Sequence, residues 1–291
     1  MSRQSIDLPR KFVLGLAFLA ISVGASPIAL SAEGEDAVQK AISPQDGPIK
    51  LFNGENLDGF YSWIQGPGYE DPNQVFTVQD GLLRVSGQGY GGLITKKSYR
   101  DYHLIIEFKW GEKTWDDRAD RARDSGVLVH CHGPDGGFGG RWMASIEAQI
   151  IEGGVGDILV LSGKDPETGK EYPVSLTVEI TKDRDGEKVW QRGGERITLN
   201  SGRINWFGRD VDWVDKIGFR GKDDVESPFG EWTRMDVICD GDKIQYLVNG
   251  VVVNEGFEAS PDEGKILLQT EQAEMFVRRY ELWPLGKAPQ D

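Results

Sequence analysis

The sequence predicts an all-β fold, a two-sheet antiparallel jelly-roll sandwich. Three observations predict it. Glycine is abundant, at 38 of 291 residues, beside nine tryptophans. Short runs with apolar residues at every second position recur along the chain, and many end at Asp-Gly or Asn-Gly pairs that make tight hairpin turns. No helical period of useful length follows residue 32. Roughly a dozen strands joined by hairpins close most simply as two stacked sheets.

Residues 1–32 read as a signal peptide. Arg3, Arg10 and Lys11 form a basic start, Phe12 to Ile21 an apolar run, and Ala25, Ser26, Ser31 and Ala32 a small-residue cleavage zone. An uncleaved anchor is the alternative. Export implies a secreted or periplasmic protein, two charges more negative once Arg3, Asp7, Arg10 and Lys11 are removed. Polar, small residues at 33–46 read as a linker. A single sandwich domain is expected over 47–287, opening at Leu51-Phe52-Asn53-Gly54.

Asp80-Gly81 joins a strand holding Phe76 and Val78 to one holding Leu83 and Val85. Gly87-Gln88-Gly89-Tyr90-Gly91-Gly92 leads into strand-like Leu93-Ile94-Thr95 with no helix start, so it is not a dinucleotide loop. In 102–110, Tyr102, Leu104, Ile106, Phe108 and Trp110 form one face, with His103, Ile105, Glu107 and Lys109 on the other. A mixed-sign loop with nine charged residues in 112–124 reads as solvated surface. Asp124-Ser125-Gly126 reads as a turn into Val127–His132. There His130 and His132 share a face with Leu128, as metal ligands or as polar lining.

Residues 145–151 alternate again. Ile146, Ala148 and Ile150 point one way; Glu147, Gln149 and Ile151 point the other. Glu152 stands at the strand end. Two carboxylates there can do acid–base work on a sugar, or they are ordinary surface charges. The loop from Gly133 to Gly140 ends in Arg141 and Trp142, which read as the lip of a binding site or as sheet packing. Residues 164–230 read as an insertion elaborating the same sandwich; within it, Thr181–Glu187 lacks a full calcium-loop pattern and reads as a hairpin. Asp240-Gly241 and Asn249-Gly250 turn the C-terminal strands. Cys131 and Cys239 either pair or stay as buried thiols.

The formal net charge of −14 disfavours a nucleic-acid partner and an anionic membrane surface. Outside the N-terminal segment no stretch is long and apolar enough to span a bilayer. No cofactor is expected, with a structural or catalytic divalent metal left open. The expected partner is a carbohydrate ligand; oligomeric state is not legible.

Leu51-Phe52-Asn53-Gly54, Asp80-Gly81-Leu82-Leu83, Asp124-Ser125-Gly126-Val127, Glu147-Ala148-Gln149-Ile150, Gly230-Glu231-Trp232, Val248-Asn249-Gly250 and Gly264–Gln269 occur in an order that resembles the 3-keto-disaccharide hydrolase domain family, formerly a domain of unknown function. The resemblance covers about 49–285. It implies a concanavalin A-like jelly roll, a site on the concave sheet and 3-keto-glycosides as substrates. On that footing Glu147 is the expected base, Glu152 or His130 the acid, and Arg278, which the family's pattern favours over Arg279, the cation for an enolate oxygen. Gln149, Gln269 and Glu271 are expected to bind sugar hydroxyls with Arg141 and Trp142. The alternatives are a direct glycoside hydrolase and a non-catalytic sugar-binding module. A laminarinase-like pair of acids at i and i+4 is disfavoured, because Ile151 occupies i+4 from Glu147.

Overall fold

The structure, a computed structural model, describes residues 40–290. The expected signal peptide and the linker up to residue 39 lie outside them. The remaining linker residues already pack onto the domain: Ala41 is buried, and the Ile42 N–H donates to the Ser98 carbonyl at 2.9 Å.

Two antiparallel sheets hold the chain, as the alternating runs predict. A seven-stranded sheet runs, in spatial order, Gly202–Ile204, Ile158–Leu161, Ala144–Ile151, Asp124–His132, Lys265–Glu271, Tyr90–Thr95, Phe60–Ile64. An eleven-stranded sheet is built around Tyr102–Thr114, which pairs with Thr233–Asp240 on one side and Ala273–Trp283 on the other. Hairpins set much of the register. Gln79 pairs with Leu82 across Asp80-Gly81, and Val248 with Val251 across Asn249-Gly250. Both residues of each turn have positive φ, the conformation that two-residue hairpins require.

The parity read from the sequence decides what the sheets bury. Ile146, Ala148 and Ile150 point inward from one sheet; Leu104, Ile106 and Phe108 meet them from the other in one continuous core. Cys131 and Cys239 are both buried free thiols. Among the described residues the only helix-like element with named bounds is a single 3-10 turn, Asp116–Arg118, and no helix is long and apolar enough to cross a membrane.

The 164–230 segment builds onto both sheets. Ser175–Lys182 pairs with Val251–Ser260 at the edge of the eleven-stranded sheet, while Gly202–Ile204 forms an edge of the seven-stranded one. Asp157 ties it down. This carboxylate is fully buried, pairs with Arg209, and accepts the Trp206 backbone N–H at 2.8 Å. Removing one partner of a buried ion pair strands the other charge. Asp157→Ala is therefore expected to cost about 3–5 kcal/mol of unfolding free energy in a urea titration; a loss below about 1 kcal/mol would show that the segment is held without this pair.

Candidate active site

Directly opposed residues in a sheet share a face. On the side of the seven-stranded sheet away from the core, register therefore builds transverse rows. One row reads Arg203, Leu159, Glu147, Leu128, Leu267, Ile94, Tyr61. In the next, Gln149 lies opposite Gly126, and Gln269 opposite Gly92, which is itself opposite Trp63. Beyond these, Ile151 lies opposite Asp124 and Glu271 opposite Tyr90.

This face is not a solvated one. Glu147, Gln149, Asp124, Gln269 and Glu271 are all buried. Glycine at 126 makes the crowding possible: a Cβ there would run into the Glu147 carboxyl and stand 2.8 Å from Gln269 Oε1. Gln149 Nε2 donates to Asp124 Oδ1 at 2.6 Å. Arg118 bridges two acids, pairing with Asp124 and with Glu271 Oε1 at 3.1 Å. The Gln269 amide is near enough to Glu147 to favour its ionised form, yet neither amide atom makes a full hydrogen bond. A buried amide so placed is an unspent donor and acceptor for a ligand hydroxyl.

Burial controls the titration of these groups. It pushes Glu147 up to about 8, with the Glu271 charge adding to the effect and Arg203 opposing it. Burial, then Glu271, raises Asp124 well above the carboxylate range against the pull of Arg118. Burial raises Glu271, with Arg118, Arg141 and Arg203 opposing. The face thus gathers three carboxyls biased toward holding protons, beside cations from three separate segments.

Four expected site residues take other positions or roles. Arg278 is exposed on the outer side of the eleven-stranded sheet, paired with Glu107 and 4.7 Å from the Trp232 ring centre. Because Glu107 faces away from the core, Arg278 lies across the whole sandwich from Glu147. Glu152 is a structural anchor: its oxygens accept from Arg123 Nη1 at 2.7 Å, the Arg123 N–H at 2.9 Å and the Gly218 N–H at 2.8 Å. His130 sits in a bulge at φ 55°, so the parity that would align it with Leu128 and His132 breaks there. Its Nδ1–H donates to the Pro261 carbonyl at 3.0 Å, and burial lowers its pKa to about 4. Trp142 is 7% exposed, packs against Phe138 and the edge of Tyr90, and gives its indole N–H to the Gly91 carbonyl. It supports the face and offers no free stacking surface; half-buried Trp63 is better placed for that.

Glu147, Gln149, Gln269, Glu271 and Arg141 are brought together. Asp124, Arg118 and Arg203 join them, unexpected from sequence. Asp124 is the first residue of its strand rather than a turn, so alternation back from Leu128 through Gly126 would have found it. Arg118 belongs to the loop read as solvated, and Arg203 to the insertion; neither carries a local signal. Among the described residues no group of three or more His, Cys, Asp or Glu side chains is arranged to hold a metal.

A family described as the 3-keto-alpha-glucoside-1,2-lyase-like domain matches residues 47–282, most of the chain. The chain belongs to this family. Comparison with curated proteins finds no match. Among solved structures, a candidate glycosyl hydrolase from Parabacteroides distasonis ATCC 8503 is similar at 17% identity, with 82% of this chain and 94% of that chain covered and a TM-score of 0.48. A β-glucanase from Bacillus licheniformis is similar at 12% identity, over 81% and 97% of the two chains, with a TM-score of 0.42. The carbohydrate-binding module CBM66 from Bacillus subtilis is similar at 9% identity, over 83% and 97%, with a TM-score of 0.37. The lyase-like domain thus spans the strands that carry Glu147, Asp124 and Glu271.

A carboxyl with a raised folded-state pKa binds more protons folded than unfolded, so stability falls as pH rises toward that pKa. Glu147 and the likewise buried Glu226, also near 8, share this sign. His130 contributes the opposite sign, but only below about 6.5. The thermal midpoint is therefore expected to fall between pH 6.5 and 8, and less steeply in Glu147→Gln. A midpoint that rises across this window, or a Gln variant with the wild-type slope, would contradict the burial of an ionisable Glu147.

Proposed function

We propose that this domain cleaves 3-keto-glycosides by elimination followed by hydration, using the outer face of the seven-stranded sheet. The observation that carries the reading is Glu147: a buried carboxyl pushed up to about 8, beside an unsatisfied amide and two further acids. A base works best with a pKa near the operating pH, and burial has moved Glu147 there.

In this reading the ketone at C3 acidifies the hydrogen on C2. The Glu147 carboxylate takes that proton, and the C2–H electron pair forms an enolate with the C3 oxygen. Arg203 stands in the same transverse row as Glu147 and is the first cation to oppose its raised pKa, so it replaces Arg278 as the positive charge for the enolate oxygen. The enolate collapses and the C1–O bond breaks. The departing oxygen takes a proton from the Asp124–Glu271 pair, whose members both favour the protonated form. Water then adds at C1 and a proton returns to C2, for a net hydrolysis. Gln149 and Gln269 orient hydroxyls. Export, read from the 1–32 pattern alone, would place the enzyme where saccharides are met outside the cytoplasm.

Incubation with a 3-keto-glucoside and with its plain glucoside tests the reading. Cleavage of the keto sugar alone supports it. Cleavage of both would favour direct hydrolysis by two of the three carboxyls, and binding without cleavage a sugar-binding module. With a base that ionises near 8, kcat/KM is expected to rise with pH and level off above about 8. Glu147→Gln should cut it by about 10²–10⁴-fold and remove that limb. A rate that falls through the same range would instead make Glu147 the acid.

A further inference from the structure

Arg141 has no role in the steps above, yet its backbone is anchored and its guanidinium stacks on an aromatic ring of the face. Its backbone N–H donates to the Phe138 carbonyl at 3.0 Å, and its neighbour Trp142 is fixed to the Gly91 carbonyl at 3.0 Å. Its guanidinium carbon lies 3.7 Å from the centre of the Tyr90 ring. Tyr90 is directly opposite Glu271 in the sheet, and the Arg141 charge acts on both groups.

Other guanidiniums around this face spend their donors on carboxylates: Arg118 on Asp124 and Glu271, Arg123 on Glu152, Arg209 on Asp157. Arg141 does not. Among the described residues its guanidinium makes no hydrogen bond and reaches no carboxylate within ion-pair distance, and its ring contacts are to Tyr90 and Trp142. A stacked guanidinium is pre-organised, so little freedom is lost when it binds. Its planar fork fits a carboxylate or a sulfate ester through two parallel N–H bonds.

We propose that Arg141 anchors an anionic substituent, so that the natural ligand of this face is an acidic saccharide bearing a carboxylate or a sulfate ester. The proposal rests on the reading above only in taking this face as the saccharide site. The group held by Arg141 lies on the Tyr90 side of the face, toward Glu271 and away from Arg203. Substrate selection and the chemistry at Glu147 therefore fall to different side chains.

Calorimetric titration of the full chain with glucose, glucuronic acid and glucose 6-sulfate tests this. None of these has a glycosidic bond to cleave, so binding is read without turnover. Wild-type protein is expected to bind at least one of the two anions about tenfold more tightly than glucose. Preference for glucuronic acid identifies a carboxylate, and preference for the sulfate an ester. Arg141→Met should bring the ratio to about twofold or less, and Arg141→Lys, which keeps the charge without the fork, to an intermediate value. Equal affinity of wild-type protein for glucose and both anions would overturn the proposal, as would a preference that survives Arg141→Met. Failure of keto-sugar cleavage would leave these ratios untouched. Cleavage of a neutral 3-keto-glucoside by a protein with no anion preference would sink this proposal alone.

Discussion

Burial of carboxyl groups on the outer face of a sheet is the constraint on which the candidate site depends. A charged carboxylate is costly to remove from water, and a buried one either finds a partner or keeps its proton. Asp157 takes the first course, with Arg209 and the Trp206 N–H against it. Glu147 takes the second: the cations near it do not offset burial, and it titrates near 8. Burial raises both acids, but Asp157 sits against a guanidinium and fastens a segment, whereas Glu147 has no cation within ion-pair distance among the described residues.

The sandwich makes this arrangement possible by giving one strand two different environments. Ala144–Ile151 sends Ile146, Ala148 and Ile150 into the shared core, so its position and twist are fixed by packing. The alternate side chains are then presented with little freedom. What covers them comes from elsewhere. The loop around Asp116–Arg118 brings Arg118 between Asp124 and Glu271, and the edge strand Gly202–Ile204 brings Arg203 into the Glu147 row. The cations tuning the acids therefore belong to segments that also close the face. Loss of Arg203 from the insertion would remove a charge that opposes the raised pKa of Glu147.

Strand content and facing were readable because they depend on near neighbours in sequence. Alternation over 102–110 and 145–151 named the inward residues correctly, and Asp-Gly and Asn-Gly pairs marked the hairpins. Within the site, alternation gave the facing of Glu147 and Gln149, while Gln269 and Glu271 were named through the family resemblance. Where parity breaks, the reading failed. A bulge at His130 turns its ring toward Pro261, a change of one residue that alternation cannot register. Glu152 looked like a partner for Glu147 because it is close in sequence, but beyond the strand end facing is set by whatever packs there, here Arg123 and Gly218.

By itself the sequence determined the fold class and the inward face of each major strand, since both follow from periodicity and turn chemistry; Glu147 stood out from alternation only as one of two acids at a strand end. Only the tertiary structure decided which charges meet. Arg278 and Glu147 had to be assigned to opposite sides of the sandwich, and Arg118 and Arg203 to the site, by sheet order and loop placement. Proton affinity was decided there too. The same glutamate in a solvated strand would ionise as usual, and only its burial beside Glu271 raises it to about 8.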